Sequence, residues 1–286
     1  MIATTIILTT ILFLAAASYY DLKTGEIPDK ISIGLLAAVL ILTIAGAVTE
    51  SYDFLINALL VGALYFVIGY ISFYLGQLGG GDVKLLAGIG AAVATIPVSG
   101  FLPNYAAYII DAGVVVMPYA AAYGLFLGLR NKSVFAEFAG EIKKIKIILL
   151  IILSFFPLLF LLLLSAAKVN FTLILLTGIL PVFVLLTAYL KVVEKTAMQK
   201  TIPVSELKEE DVPAEDIIVD GRKIAGKNDI AGITKEQLLE IRKLAEEGRI
   251  PDKITIKWGM KFVPVLFFGF LILVLYGNVL EILFNV

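Results

Sequence analysis

Neither cysteine nor histidine occurs anywhere in the 286-residue chain. The first absence removes disulfides, thiolate nucleophiles and thiolate metal sites. The second removes imidazole as a zinc ligand, as the relay of a serine hydrolase and as the paired ligand of the HExxH metalloproteases. Any acid–base chemistry therefore falls to carboxylates, hydroxyls, lysine or tyrosine, and no metal or other cofactor is implied. Charge is also scarce. Only 16% of residues are charged against 60% hydrophobic, with 23 Lys+Arg against 24 Asp+Glu. That balance offers no basic surface for nucleic acid.

Hydrophobic residues, in contrast, come in runs long enough to cross a bilayer core of about 30 Å, which takes roughly 20 helical residues. A spanning segment must also satisfy its own backbone hydrogen bonds. The fold class predicted is an all-α polytopic membrane protein of about eight transmembrane helices, with a small α+β cytosolic domain before the last one.

In chain order the apolar segments cover about 1–19, 31–48, 54–75, 83–98, 105–129, 147–167, 171–190 and 262–284. Ala15-Ala16-Ala17-Ser18 has the composition of a signal-peptide cleavage site, but the basic segment a secretory signal needs ahead of it is missing. Asp29 is placed to cap the second segment. Gly88, Gly90, Ala91 and Ala92 give the fourth the small residues that close helix packing uses, and Pro157 and Pro181 would kink the sixth and seventh.

Four regions follow. Residues 1–130 form a membrane core, 131–190 a basic cytosolic loop with two further helices, 191–261 a soluble cytosolic domain and 262–286 the last helix. The polar region balances Lys and Arg against Asp and Glu. Within it, Ile217 to Ile224 reads as a hairpin around Asp220-Gly221. Thr234 and Gln237 read as a capping box opening a helix that ends near Gly248, and Lys253 to Lys257 alternates like a strand.

Orientation follows from the short loops. Lys23, Lys30, Lys84, Arg130, Lys132, Lys143, Lys144 and Lys146 fall on one side of the membrane and Lys168 on the other. Positive charge marks the cytosolic side, so both termini are predicted outside and the polar region inside.

Against this background Gly76-Gln77-Leu78-Gly79-Gly80-Gly81-Asp82-Val83-Lys84 stands out. Three glycines let another segment approach the backbone, and an acid opens the helix that follows. Segment 1 runs inward and ends at Tyr20-Asp21. Segment 4 starts from the same side, because an even number of crossings separates them. Asp21 and Asp82 therefore share the cytosolic boundary, whereas Asp111 lies near the outer face. Taken singly, Asp82 reads as a helix cap and Asp21 as an interfacial turn residue. Their common depth, the glycine approach and the cost of ionisable groups in a membrane make the pair a candidate site.

Together, Asp21-Leu22-Lys23-Thr24-Gly25-Glu26-Ile27-Pro28-Asp29 and Gly79-Gly80-Gly81-Asp82-Val83-Lys84-Leu85-Leu86 resemble the type IV prepilin peptidase family, including archaeal preflagellin peptidases. The resemblance covers roughly residues 15–130. Presenilin-like GxGD proteases share a Tyr-Asp and a GxGD, but their Pro-Ala-Leu motif is not found here. Bacterial prepilin peptidases carry a four-cysteine metal-binding insertion, so this cysteine-free chain resembles the archaeal branch. Compact preflagellin peptidases have six spans, and the pair at about 147–190 departs from that pattern.

The resemblance implies an aspartic endopeptidase with Asp21 and Asp82 catalytic, supported by Gly79, Gly80, Gly81 and Lys84. One carboxyl holds a proton while the other activates water. A helix start favours an anion, which suggests Asp82 as base and Asp21 as acid. The implied substrates are prepilin or preflagellin (archaellin) precursors held in membrane lipid. Glu26 and Asp29 are placed to attract the basic leader. Three other classes remain open from the residues alone. They are an aspartate-based transporter or proton channel using Asp21, Asp82 and Asp111, a Ser72–Lys84 protease, and a scaffold whose cytosolic domain binds a partner.

Overall fold

A computed structural model of the chain describes residues 1–97, 102–164, 171–226, 229, 232–279 and 281. Its helices are α1 (Ile2–Thr24), α2 (Asp29–Thr49), α3 (Tyr52–Tyr74), α4 (Gly80–Val93), α5 (Asn104–Arg130), α6 (Ser133–Ile142), α7 (Ile145–Leu164), α8 (Phe171–Thr196), α9 (Lys235–Glu246) and α10 (Val263–Tyr276). Strands β1 (Gln199–Pro203), β2 (Val212–Pro213), β3 (Ile217–Val219), β4 (Arg222–Ala225) and β5 (Lys253–Lys257) lie between α8 and α10. Two compact units result. One comprises Met1–Val116, Asn228–Thr234 and Gly259–Val286, and the other Met117–Lys227 and Lys235–Trp258.

The first unit is organised around α4, which packs against α2 and α3 and also touches α1. A helix that is apolar all round is a buried helix, and Leu85, Ile89, Ala91, Ala92 and Val93 are all buried. Its glycines set the interhelical spacing. A Cβ added at Gly88 would stand 2.9 Å from Leu35 Cγ of α2, and one at Gly90 would stand 2.7 Å from Tyr65 Cβ of α3. The Tyr65 hydroxyl in turn donates to the Tyr105 carbonyl at 2.5 Å, tying α3 to α5.

The last helix belongs to this unit although the whole polar region separates it in sequence from the others. It packs along α1. Gly269 makes room for Ala112, and the Tyr108 hydroxyl donates to the Leu266 carbonyl at 3.2 Å. On the outer faces of α1, α2 and α3, Leu12, Ile41 and Leu60 are exposed, as suits surfaces meeting lipid rather than water.

By length and hydropathy, α1, α2, α3, α5 and the Thr177–Thr196 part of α8 are able to cross a membrane. Lys146–Pro157 and Val263–Tyr276 are shorter apolar stretches. The 14 residues of α4 rise only about 21 Å. The predicted count of eight therefore includes helices shorter than a full crossing. Lys168 and the predicted segment ends at 98, 165–167 and 282–284 lie outside the described residues.

In the second unit β1, β5 and β2 form an antiparallel sheet in that order, with Gln199 and Val212 both opposite Lys257. The β3–β4 hairpin turns at Asp220 (φ 49°) and Gly221 (φ 78°), the two positive angles that a type I′ turn requires. Helix α9 starts directly after Thr234 and buries Leu238, Ile241 and Leu244. Gln237 Nε2 donates to the Ile224 carbonyl at 2.8 Å, joining α9 to the hairpin. Where the sequence suggests a basic loop at 130–146, the structure has the ten-residue α6. Its lysines flank the helix, and Val134 alone of its residues is fully buried, which leaves a weak apolar signal in the sequence.

Candidate active site

Helix α1 ends because Gly25 adopts a left-handed conformation (φ 80°), its N–H returning to the Asp21 carbonyl at 2.9 Å. Glycine alone takes this geometry without strain. The closure puts Asp21 in the last turn, buried at 6% exposure. Its Oδ2 accepts the backbone N–H of Val263 at 3.0 Å. One of the unpaired donors at the start of α10 is thus satisfied by a carboxylate from α1.

Lys261, two residues before α10, completes this side of the site. Its Nζ lies against Gly25, in space that a Cβ there would occupy. The charges of Asp21 and Glu26 both act on it. Burial pushes the Lys261 ammonium below the ordinary lysine range, and the two carboxylates pull it back up. A cation at the carboxyl end of α1 also faces the negative end of the helix dipole.

Asp82 occupies the first turn of α4, where Gly79 is the N-cap. Its Oδ2 accepts the Gly79 N–H at 3.0 Å, the half of a capping box that the third helical residue supplies, glycine having no side chain for the other half. The N-cap is therefore Gly79 and not Asp82, which accepts a helix-start N–H from the third helical position. The same carboxyl lies close enough to Asp21 for that charge to act on it. Gly81 admits the α1–α2 turn, since a Cβ there would stand 3.2 Å from Ile27 Cβ. Gly80 has open space beside it.

Other sequence-predicted residues have different places. Asp29 does not cap α2, whose N-cap is Pro28. It pairs instead with Lys84 Nζ at 2.5 Å, joining the first turns of α2 and α4. Lys84 thus neither snorkels freely nor meets Ser72, whose hydroxyl donates to the Ile68 carbonyl within α3 at 3.0 Å. Glu26 is exposed in the α1–α2 turn, with its N–H on Thr24 Oγ1 at 3.3 Å. Asp111 is fully buried, and its Oδ1 accepts the Val279 N–H at 3.0 Å. Asp21 thus meets the start of α10, whereas Asp111 meets the chain just past its C-terminal end at Gly277. Ser18, one turn before Asp21, is buried, and its hydroxyl has no hydrogen-bond partner among the described residues.

Lys261 and the N–H of Val263 are the site features that sequence reasoning missed. The one available signal is Lys261-Phe262-Val263-Pro264, a cation just ahead of a helix that opens with proline near its first position.

The arrangement places two carboxyls at helix ends within reach of each other's charge, one of them near a cation and the other beside the open space at Gly80. Residues 8–163, which include both aspartates, match the model of the type IV leader peptidase family. A prepilin peptidase, EppA, of Methanothermobacter thermautotrophicus is 24% identical over 94% of this chain and 93% of its own length. A preflagellin peptidase of Methanococcus maripaludis is 28% identical over 47% of this chain and 66% of its own length. Another, of Methanococcus voltae, is 31% identical over 42% of this chain and 57% of its own length. No solved structure matches the chain.

Proposed function

Because the chain belongs to the type IV leader peptidase family and is a protease of the prepilin peptidase type, we propose that it removes the short basic leader from archaeal type IV pilin-like or archaellin precursors. Cleavage takes place at the cytosolic boundary of the cell membrane, on a peptide bond just ahead of the precursor's apolar helix. In this reading α1, α2, α3, α4, α5, α7, α8 and α10 all cross the membrane, with both termini outside. The excess of Lys and Arg in the loops that follow α1, α3 and α5 supports that orientation.

Asp21 and Asp82 share the work as one unit. One carboxylate takes a proton from water, whose oxygen attacks the scissile carbonyl carbon. The other, protonated, gives its proton to the carbonyl oxygen. Collapse of the tetrahedral intermediate breaks the C–N bond, and a proton passes to the departing nitrogen. One water is consumed, and the products are a carboxyl and an amine. Two adjacent carboxyls suit this task because repulsion disfavours a second charge, leaving one of them protonated.

The observation that carries this reading is that Asp21, in the last turn of α1, and Asp82, in the first turn of α4, lie near enough for the charge of one to act on the other. Gly80, with open space beside it, leaves room for the substrate backbone next to Asp82, Gly79 and Gly81 hold the turn around it, and the Lys84–Asp29 pair braces the α2 and α4 starts. Glu26, exposed at the same end, attracts the leader's basic residues. Asp29 joins in that attraction only when the leader's basic residues displace Lys84 from it.

The test is cleavage of pilin-like and archaellin precursors by membranes containing the wild type, Asp21→Asn, Asp82→Asn or Asp111→Asn. The first two substitutions should lower the rate about 100-fold or more, and the third should leave it near wild type. Full cleavage by both Asp21→Asn and Asp82→Asn would falsify the two-aspartate reading.

A further inference from the structure

We propose that Lys261 is a positioning residue for the reaction, holding Asp21 as the anionic member of the pair and so making Asp21 the base and Asp82 the acid. This inference rests on the two-aspartate reading above and assigns the roles within it.

Three observations carry it. Lys261 Nζ is seated on Gly25 at the closed end of α1, one turn from Asp21, and the two charges act on each other. Asp21 Oδ2 also accepts the Val263 N–H at the amino end of α10, which favours its ionised form as the Gly79 N–H does for Asp82, so the cation is what separates the two. Asp82 lacks a comparable cation from its own helix, because Lys84, two residues on, is committed to Asp29 at 2.5 Å.

The charged groups around Asp21 and Lys261 come from several elements. Lys261 precedes α10, Glu26 lies in the α1–α2 turn, Asp82 is on α4, and the Asp29–Lys84 pair joins α2 to α4. Glu26 competes with Asp21 for the cation. A charged Asp21 in turn discourages a second charge on Asp82, which keeps the proton needed to protonate the carbonyl oxygen. A helix start alone favours Asp82 as the anion, and Lys261 reverses that order.

This arrangement also gives the last helix a role in catalysis. Lys261 and Val263 reach the site only when α10 is docked along α1, so the acid–base roles are set by a segment remote in sequence from both aspartates.

The test is the pH dependence of kcat/KM for precursor cleavage by the full-length protein in membranes, comparing wild type, Lys261→Met, Lys261→Arg and Glu26→Gln. The acid limb reports the base of the pair. Loss of the cation raises the pKa of a neighbouring carboxyl, so Lys261→Met should move that limb to higher pH by about one unit. Lys261→Arg should return it towards wild type. Glu26→Gln removes a competing anion from an exposed turn and should move the limb to lower pH.

Opposite shifts are not produced by a merely structural loss of activity. Acid limbs that coincide in wild type, Lys261→Met and Glu26→Gln overturn the proposal, whatever the change in rate. If Lys261→Met is not recovered in membranes, an unmoved limb in Glu26→Gln overturns it alone. Failure of the underlying reading is distinguished by Asp21→Asn and Asp82→Asn, which would then still cleave.

Discussion

Asp21 and Val263 stand 242 positions apart in the chain, yet the Asp21 Oδ2 accepts the Val263 N–H at 3.0 Å. One carboxylate therefore serves both the chemistry proposed for it and the docking of α10. The two roles separate by substitution. Asp21→Asn keeps an oxygen that can accept the Val263 N–H, whereas Asp21→Ala leaves that donor buried without a partner, at a cost of about 1–3 kcal/mol. Both variants should lose cleavage, but only Asp21→Ala should show a clearly lower unfolding temperature in detergent.

Gly25 combines a left-handed backbone with the Lys261 ammonium against its Cα. Gly25→Ala meets both constraints, with the left-handed conformation alone costing about 1–2 kcal/mol. It should lower the unfolding temperature and also displace Lys261. The pH profile of its residual cleavage should then move in the same direction as that of Lys261→Met.

What the sequence made legible here was local. A glycine run followed by Asp82 marks a helix start, and Asp220-Gly221 between two β-branched runs marks the hairpin, because each signal is written within a few consecutive residues. Asp29 shows the limit. Its position ahead of an apolar run suggests a cap, but its partner is Lys84, 55 positions away, and an ion pair across two helices leaves no spacing pattern. Lys261 is harder still to see. In the sequence it closes a polar region with as many acids as bases, and its nearness to Asp21 exists only after α10 packs along α1. Helix α6 is masked for another reason, since flanking lysines make a short amphipathic helix read as a charged loop.

The Lys84–Asp29 pair is close but wet, with side chains 40% and 65% exposed. Exposed pairs contribute about 0–1 kcal/mol and weaken with salt. A double-mutant cycle with Lys84→Met and Asp29→Asn, read from unfolding in detergent, should give a coupling below about 1 kcal/mol that shrinks at high ionic strength. A coupling of several kcal/mol would mean that the pair is desolvated in the membrane and is a principal brace of the site.

Gly90 lies in the most crowded part of the α3–α4 contact. A Cβ there would stand 2.7 Å from Tyr65 Cβ and equally close to the Val61 carbonyl, so Gly90→Ala must push the two helices apart. Overpacking of this kind costs about 1–3 kcal/mol. It should lower the unfolding temperature and, because α4 carries Asp82 at its start, reduce cleavage as well. Tyr65→Ala tests the cause, since removing the ring should relieve part of the crowding. The double variant should then be less destabilised than the sum of the two single ones. Strict additivity would show that the helices do not meet at Gly90 and Tyr65, and the packing that places Asp82 would need another explanation.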